Sequence, residues 1–335
     1  VRNEIVYIGN WGGDDPVWYG FTQWVGNCYV HALCLQRLLS AKGYSTKLIW
    51  VTNKTHYWLI VDMGGYWRHI DATPSSLHST GQEAKEALDA ARETVAGCLG
   101  CEPREIIFTS GGSEADNQAI ISAARLGQRK GKKHIISTAF EHHAVLHTLN
   151  RLEKEGFEVT YLDVSNGHTI TAQQVKDAIR PDTCLVTTMY ANNEIGSVLP
   201  IAEIGAVCKE KKVLFHTDAV QAVGHIHIDV KAQNIDMLSL SGHKFHGPKG
   251  VGALYCRRGI PLVNVIEGGA QERGKRGGTE NIPGIVSMAA AFEDACSKID
   301  ENAIKGNLKK INYLVLTTLI IMDMEQPFNI GLDTI

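Results

Sequence analysis

Residues 235–250 read IDMLSLSGHKFHGPKG. An apolar run from Ile235 to Leu240 leaves through Ser241 and Gly242, and Lys244 then enters a turn built on Gly247, Pro248 and Gly250. A short apolar run closed by turn residues fits a strand buried in a helix-covered sheet. Ligands of such sheets gather at the carboxyl ends of the strands, so the lysine stands where a site belongs. An amine at the mouth of a buried strand is desolvated, which lowers its pKa and frees it to attack a carbonyl. Taken alone, a surface lysine in a loop is the simpler account of the stretch. The segments before it have to decide.

From about residue 76 to 300 the chain alternates helical and strand patterns. Strands are expected at 106–109, 134–137, 159–162, 184–189, 213–217, 237–241 and 252–255. Helices are expected at 82–99, 114–129, 144–155, 172–179, 201–211 and 289–299. This order predicts an α/β fold, a mainly parallel sheet covered by helices. Polar residues collect where the strands end. Ser110-Gly111-Gly112-Ser113 lies between a strand and a helix start, where unpaired backbone N–H groups cradle a phosphate. Glu141-His142-His143, Asn192-Asn193-Glu194, His216-Thr217-Asp218 with Gln221, and Ser241-Gly242-His243-Lys244 end four more strands. Each fits an ordinary capped loop, but five on one edge point to a common ligand. A phosphate-bearing aldehyde cofactor uses them all: a lysine for the Schiff base, an acid for a pyridinium proton, and a flat side chain against the ring. Pyridoxal 5'-phosphate fits, with Lys244 as its anchor and Asp218 as partner of the ring nitrogen.

Several stretches carry a resemblance: IIFTSGGSEADN (106–117), EHHAVL (141–146), NNEIG (192–196), HTDAVQ (216–221), SGHKFHGPKG (241–250) and ERGKRGGT (272–279). From about Pro74 to Asp300 the chain closely resembles the NifS/IscS-type cysteine desulfurases of the class V aminotransferase group. The resemblance implies the large domain of a pyridoxal-phosphate-dependent transferase and conversion of L-cysteine to L-alanine, with sulfur passed to an acceptor or iron–sulfur scaffold protein. It makes Lys244 the cofactor-bearing lysine and His142 the residue stacked on the ring. Gly112, Ser113, Ser241 and His243 would hold the phosphate, and Asn193 and Gln221 the phenolic side of the ring. Thr279 would reach the phosphate of a partner subunit's cofactor, which implies a homodimer. No metal is implied.

Residues 1–75 are different in kind. All six tryptophans fall there, at positions 11, 18, 24, 50, 58 and 67. Cys28 opens an apolar-periodic helix, where the backbone dipole favours a thiolate. Strand patterns at 45–52, 56–63 and 66–70 follow, the last two joined by Gly64-Gly65 as in a hairpin. His56 begins one of these strands and Asp71 follows the next, an order that suits a nucleophile, base and orienting acid. The block resembles the transglutaminase-like thiol hydrolase core, which implies an α+β segment with Cys28 as nucleophile, His56 as base and Asp71 as its orienter.

The organisation expected is therefore a transglutaminase-like segment (1–75), a pyridoxal-phosphate-binding large domain (76–300) and a remnant of a small C-terminal domain (301–335). The sulfur-accepting cysteine of the desulfurases sits in a mobile Ser/Gly-rich loop. The last cysteine here, Cys296, falls instead on a helical pattern, so impaired sulfur transfer is the expectation. A thiol hydrolase built on Cys28, or a non-catalytic mosaic of two partial domains, are the alternatives.

Composition bounds the rest. The chain has 335 residues, 33 Lys and Arg against 36 Asp and Glu, and a formal charge of −3. Nothing in it suggests nucleic acid as a partner. The apolar run 311–322 is shorter than the roughly 20 residues needed to cross a bilayer, so neither a membrane partner nor a secretory leader is expected. Eight irregularly spaced cysteines suggest reduced thiols and a cytoplasmic setting. Cys98-Leu99-Gly100-Cys101 is a lone C-x-x-C without a second pair, a weak sign of metal or redox use.

Overall fold

The computed structural model describes residues 6–7, 45–50, 57–62, 67–70, 79–164 and 169–303. The chain divides into two compact units, Val1–Leu88 and Asp89–Ile335. In the first, β1 (Val6–Tyr7), β2 (Thr46–Trp50), β3 (Tyr57–Asp62) and β4 (Trp67–Ile70) form an antiparallel sheet in that order. Asp62 pairs with Trp67, the register expected of a hairpin turning at Gly64-Gly65. Cys28 and the helix expected after it, His56 and Asp71 lie outside the described residues, as do residues 304–335 of the expected C-terminal remnant.

The second unit is built on a sheet of β5 (Ile106–Thr109), β6 (His134–Thr138), β7 (Glu158–Leu162), β8 (Thr183–Met189), β9 (Leu214–Asp218), β10 (Met237–Ser241) and β11 (Gly252–Cys256). Their spatial order is β5-β11-β10-β9-β8-β6-β7. Pairs within β10-β9-β8-β6-β7 are parallel, while β11 runs antiparallel to both β10 and β5. Only β11 is reversed, so the carboxyl ends of the other six strands share one edge. Every residue of β5, β6, β8, β10 and β11 is buried. That explains why these runs read as continuous apolar stretches rather than alternating ones.

Helices α1 (Ser79–Leu99), α2 (Gly112–Gln128), α3 (His143–Lys154), α4 (Ala172–Ala178), α5 (Ile201–Lys211) and α6 (Ile282–Ser297) lie between and after the strands. Each begins or ends within a few residues of its expected position except α6, which starts well before 289. Its start was hidden by Pro283, which suits a first helical turn because its missing N–H is not needed there. No described helix is long and apolar enough to cross a membrane.

Helix α2 matters most to the site, because it carries the turn after β5 into the core. Ala115, Ala119, Ala123 and Ala124 are all fully buried, and the small side chains let it lie close on the sheet. At its far end a Cβ on Gly127 would fall 2.3 Å from Cys184 Cβ on β8. Gly127→Ala should therefore cost about 1–3 kcal/mol by overpacking, read as a lower denaturant midpoint with an unchanged slope.

Candidate active site

Five strand ends meet along the common edge, as the sequence expects. After β5, Gly111 and Gly112 begin α2 with no side chain capping the helix, which leaves its first backbone N–H groups available to an anion. Gly112 has no room for a side chain, since a Cβ there would lie 2.5 Å from Val220 Cγ2 and 3.7 Å from Ser241 Cβ. The glycine turn is thus packed between the segment after β9 and the end of β10. Ser113 is exposed at the helix start.

Ser241 ends β10, and its hydroxyl contacts His243 Nδ1 at 3.0 Å. Gly242–Phe245 then forms a single 3-10 turn that presents Lys244. The turn is tied down from behind: His225 Nε2 donates to the Lys244 carbonyl oxygen at 3.1 Å, and the Phe245 ring packs on Phe292 with centroids 4.9 Å apart. Lys244 itself is half-buried rather than enclosed, because the turn carries it past the end of the strand.

Asp218 ends β9 and is buried. One oxygen accepts from the Val220 N–H at 3.0 Å. Burial pushes its pKa up, and the Val220 N–H, His142 and Lys244 each pull it back down. His142 is the N-cap of α3, its Nδ1 accepting from the Ala144 N–H at 3.1 Å. It remains exposed, with one face available to a ligand. Gln221 is half-buried, one turn past Asp218, and Asn193 is exposed on the loop after β8. That loop is shaped by its neighbour Asn192, whose Oδ1 accepts from the backbone N–H groups of Glu194 (2.8 Å) and Ile195 (3.0 Å). Thr279 is exposed on a segment that Arg276 fastens to α2, through a 2.9 Å contact with Glu114.

The structure adds Asp116 to the strand-end residues and shows that they form a polar floor. Asp116 on α2 is 1% exposed, and a carboxylate oxygen of Asp116, one of Asp218 and a ring nitrogen of His142 lie within 4.8 Å of one another. The three are close enough to share one cation. Burial, then the neighbouring charge of Asp218, holds the Asp116 carboxyl well above the usual carboxylate range, so the pair favours holding a proton. Glu141 is pushed up to about 8 by burial, although Thr138 and the Met189 N–H both donate to it. His216 places Nδ1 2.8 Å from the Thr187 hydroxyl and Nε2 3.0 Å from that of Ser239. Glu141, His216 and Asp218 stand in the strand-end clusters of the sequence, whereas Asp116 shows there only as an acidic residue in a helical pattern.

Burial lowers the His216 pKa to about 3. The folded chain therefore keeps this ring neutral, while the unfolded chain takes up a proton below about 6.5. Below that pH the unfolded state binds more protons, so stability is lost as pH falls from about 6.5 toward 3. One full proton corresponds to about 1.4 kcal/mol per pH unit. His216→Gln should flatten that share of the pH dependence of the denaturation midpoint between pH 6.5 and 5.

Residues 52–324 match the family model described as aminotransferase class-V, and the chain belongs to that family. The match begins inside the segment 1–75 that the sequence set apart. A cysteine desulfurase IscS of Clostridium botulinum (strain Hall) is 55% identical over 237 residues, which are 70% of this chain and 59% of that protein. One from Methanosarcina thermophila is 54% identical over 68% of this chain and 56% of its own length. The chain thus spans less than two thirds of the curated relatives it matches. Among solved structures, SspA in complex with cysteine superposes with a TM-score of 0.65 at 48% identity, over 67% of this chain and 65% of that one. A NifS-like protein gives 0.70 at 40% identity, over 74% and 68%. The mixed, mostly parallel sheet under helices is the pyridoxal-phosphate-dependent transferase fold of those NifS-like structures, and the family's cysteine desulfurases use pyridoxal 5'-phosphate. The residues here fit that group: an open helix N-terminus beside Ser241, a buried carboxylate at the end of β9, and a lysine on a pinned turn after β10.

Proposed function

We propose that this chain carries the cofactor- and substrate-binding part of a pyridoxal-phosphate-dependent cysteine desulfurase acting on L-cysteine. The observation that carries this reading is the buried Asp218 carboxylate at the end of β9, which lies within 4.8 Å of a His142 ring nitrogen on the strand edge that also bears the Lys244 turn. Bound here, pyridoxal phosphate supplies an electron sink for charge left on the α-carbon of an amino acid. Lys244 Nζ is the covalent anchor and carries protons to and from substrate. Asp218, with Asp116 beside it, keeps a proton on the ring nitrogen. His142 covers a ring face and helps exclude water. The backbone N–H groups of Gly112 and Ser113, with Ser241 and His243, receive the phosphate, while Asn193 and Gln221 orient the phenolic oxygen. Thr279 serves the phosphate in a partner copy, so the active form is a homodimer. An acceptor or iron–sulfur scaffold protein takes the sulfur.

Sulfur uptake is impaired in this reading, because Cys296, the last cysteine described, is held in helix α6 rather than on a loop. Cys184, Cys208 and Cys256 are buried, and burial raises the pKa of each, Cys184 to about 11 and Cys256 to about 12. Protonated thiols of this kind are poor nucleophiles. Incubating the purified chain with pyridoxal phosphate and L-cysteine tests the proposal: alanine should form slowly, and faster when an external thiol is added as sulfur acceptor. No alanine under either condition would overturn the activity. Rapid alanine release without added thiol would overturn the impairment.

One observation favours a second activity in the first unit. β3 begins one residue after His56 and β4 ends one residue before Asp71, and the two strands pair antiparallel with Leu59 opposite Ile70. A transglutaminase-like thiol hydrolase using Cys28, His56 and Asp71 predicts rapid labelling of Cys28 by iodoacetamide at neutral pH, slowed by His56→Ala.

A further inference from the structure

In the reading above the cofactor phosphate is served from two directions, by the glycine turn after β5 and by Thr279 of a partner copy. Within one chain both elements are fastened to the same side chain. Glu114 stands in the first turn of α2, and its Oε2 accepts from the Ser110 N–H at 2.8 Å, which fixes the turn where the glycines begin. The same carboxylate accepts from Arg276, at 2.9 Å from Nε to Oε1 and at 3.3 Å from a terminal guanidinium nitrogen to Oε2. Glu114 is 8% and Arg276 20% exposed, so the pair is shielded from most of the solvent.

The strap that carries Arg276, residues 271–279, is held along its length. Glu272 and Arg273 take left-handed backbone conformations, with φ of 46° and 59°, which residues with side chains adopt only when their surroundings impose them. Arg92 and the Phe108 N–H bind Glu272, and Arg273 donates to the Ile106 carbonyl oxygen at 2.7 Å. The buried Gln118 donates to the Lys275 carbonyl oxygen at 2.7 Å. Gly277 lies so close to Gly268 that a Cβ on it would fall 2.7 Å from Gly268 Cα, and its N–H donates to the Ile266 carbonyl oxygen at 3.0 Å. All of these ties end before Thr279, which is left exposed. A strap this firmly seated holds the hydroxyl at its end in one place.

Charge accounts for the use of an ion pair at the joint. A lone carboxylate in the first turn of α2 would repel an anion bound at that helix end. Burial alone would raise the pKa of Glu114, but the Arg276 and Ser110 donors hold it below its ordinary value. Arg276 thus cancels the charge while leaving the carboxylate in place on Ser110.

We infer that Glu114 and Arg276 are positioning residues for the cofactor phosphate, locking the glycine turn of one site and the Thr279 hydroxyl offered to the other into a single piece. The inference rests on the pyridoxal-phosphate reading and the homodimer within it.

The test titrates the cofactor-free full chain with pyridoxal phosphate and with pyridoxal, which lacks the phosphate, and follows visible absorption. Arg276→Met should weaken pyridoxal phosphate about tenfold, the loss expected of one charge-assisted contact, and leave pyridoxal unchanged. Arg276→Lys should recover part of that loss. Thr279→Val should also weaken pyridoxal phosphate alone, and adding it to Arg276→Met should cost little more, because the hydroxyl is already out of place. Glu114→Gln, close to isosteric, reads the same joint from the helix side if Arg276→Met does not fold. A wild-type chain that binds pyridoxal phosphate, with its preference over pyridoxal unchanged in Arg276→Met and Glu114→Gln, overturns the inference alone. So does equal weakening of both ligands, or a fully additive loss in the double variant. Full affinity in Thr279→Val overturns the dimer reading, and no band in the wild-type chain overturns the cofactor reading; the inference falls with either.

Discussion

Lys244→Ala should remove the visible absorption band that the chain acquires on binding pyridoxal phosphate. The free aldehyde spectrum should remain, and alanine formation from L-cysteine should fall to background. The effect is the largest expected because the lysine is the single covalent tie and also the proton carrier, two roles that no neighbour can take up. Its turn is held by the His225 contact and the Phe245–Phe292 packing, neither of which uses the amine, so the fold should survive the change. A near-native denaturation curve with the band lost is the outcome that supports the assignment. A band that persists in Lys244→Ala means that another amine holds the cofactor.

The largest expected effect on stability lies away from the chemistry. Arg92 donates to both oxygens of Glu272 at 2.7 Å and also to the Ile106 carbonyl at 2.8 Å, while Glu272 accepts from the Phe108 N–H at 3.0 Å. The side chains are 7% and 2% exposed. Removing one partner leaves a buried charge unpaired, so Arg92→Ala should cost about 3–5 kcal/mol. Replacing both with apolar side chains of similar size, Arg92→Met with Glu272→Leu, should recover much of that loss. Urea denaturation of the two variants checks the pattern; equal losses in single and double would show that packing, not charge, dominates.

Those two residues also show what can and cannot be read from sequence. Glu272 stood in a quoted motif that ends at Thr279, and the motif gave it no role of its own. Its partner is 180 residues away, and no local pattern reports that distance. The strands were legible because complete burial makes them apolar runs, and their polar ends were legible because Gly, Ser, His and Asn cluster where strands turn. Asp116 was not, since a buried polar residue on a helix looks like any other polar residue until its neighbours are known. The reversal of β11 was hidden for the same reason, as Gly252–Cys256 is buried on both faces and reads alike in either direction.

The sheet order also governs when the site can exist. β5, the first strand of its sheet to be made, reaches its neighbours only through β11, the last, which inserts between β5 and β10. The glycine turn after β5 and the lysine turn after β10 are therefore held in common register only once residues 252–256 are in place. Joining segments so far apart in the chain is a slow, non-local step. Cofactor capture should consequently be a late event in maturation: nascent chains arrested before residue 252 should leave pyridoxal phosphate unbound, however well β6 to β10 have paired.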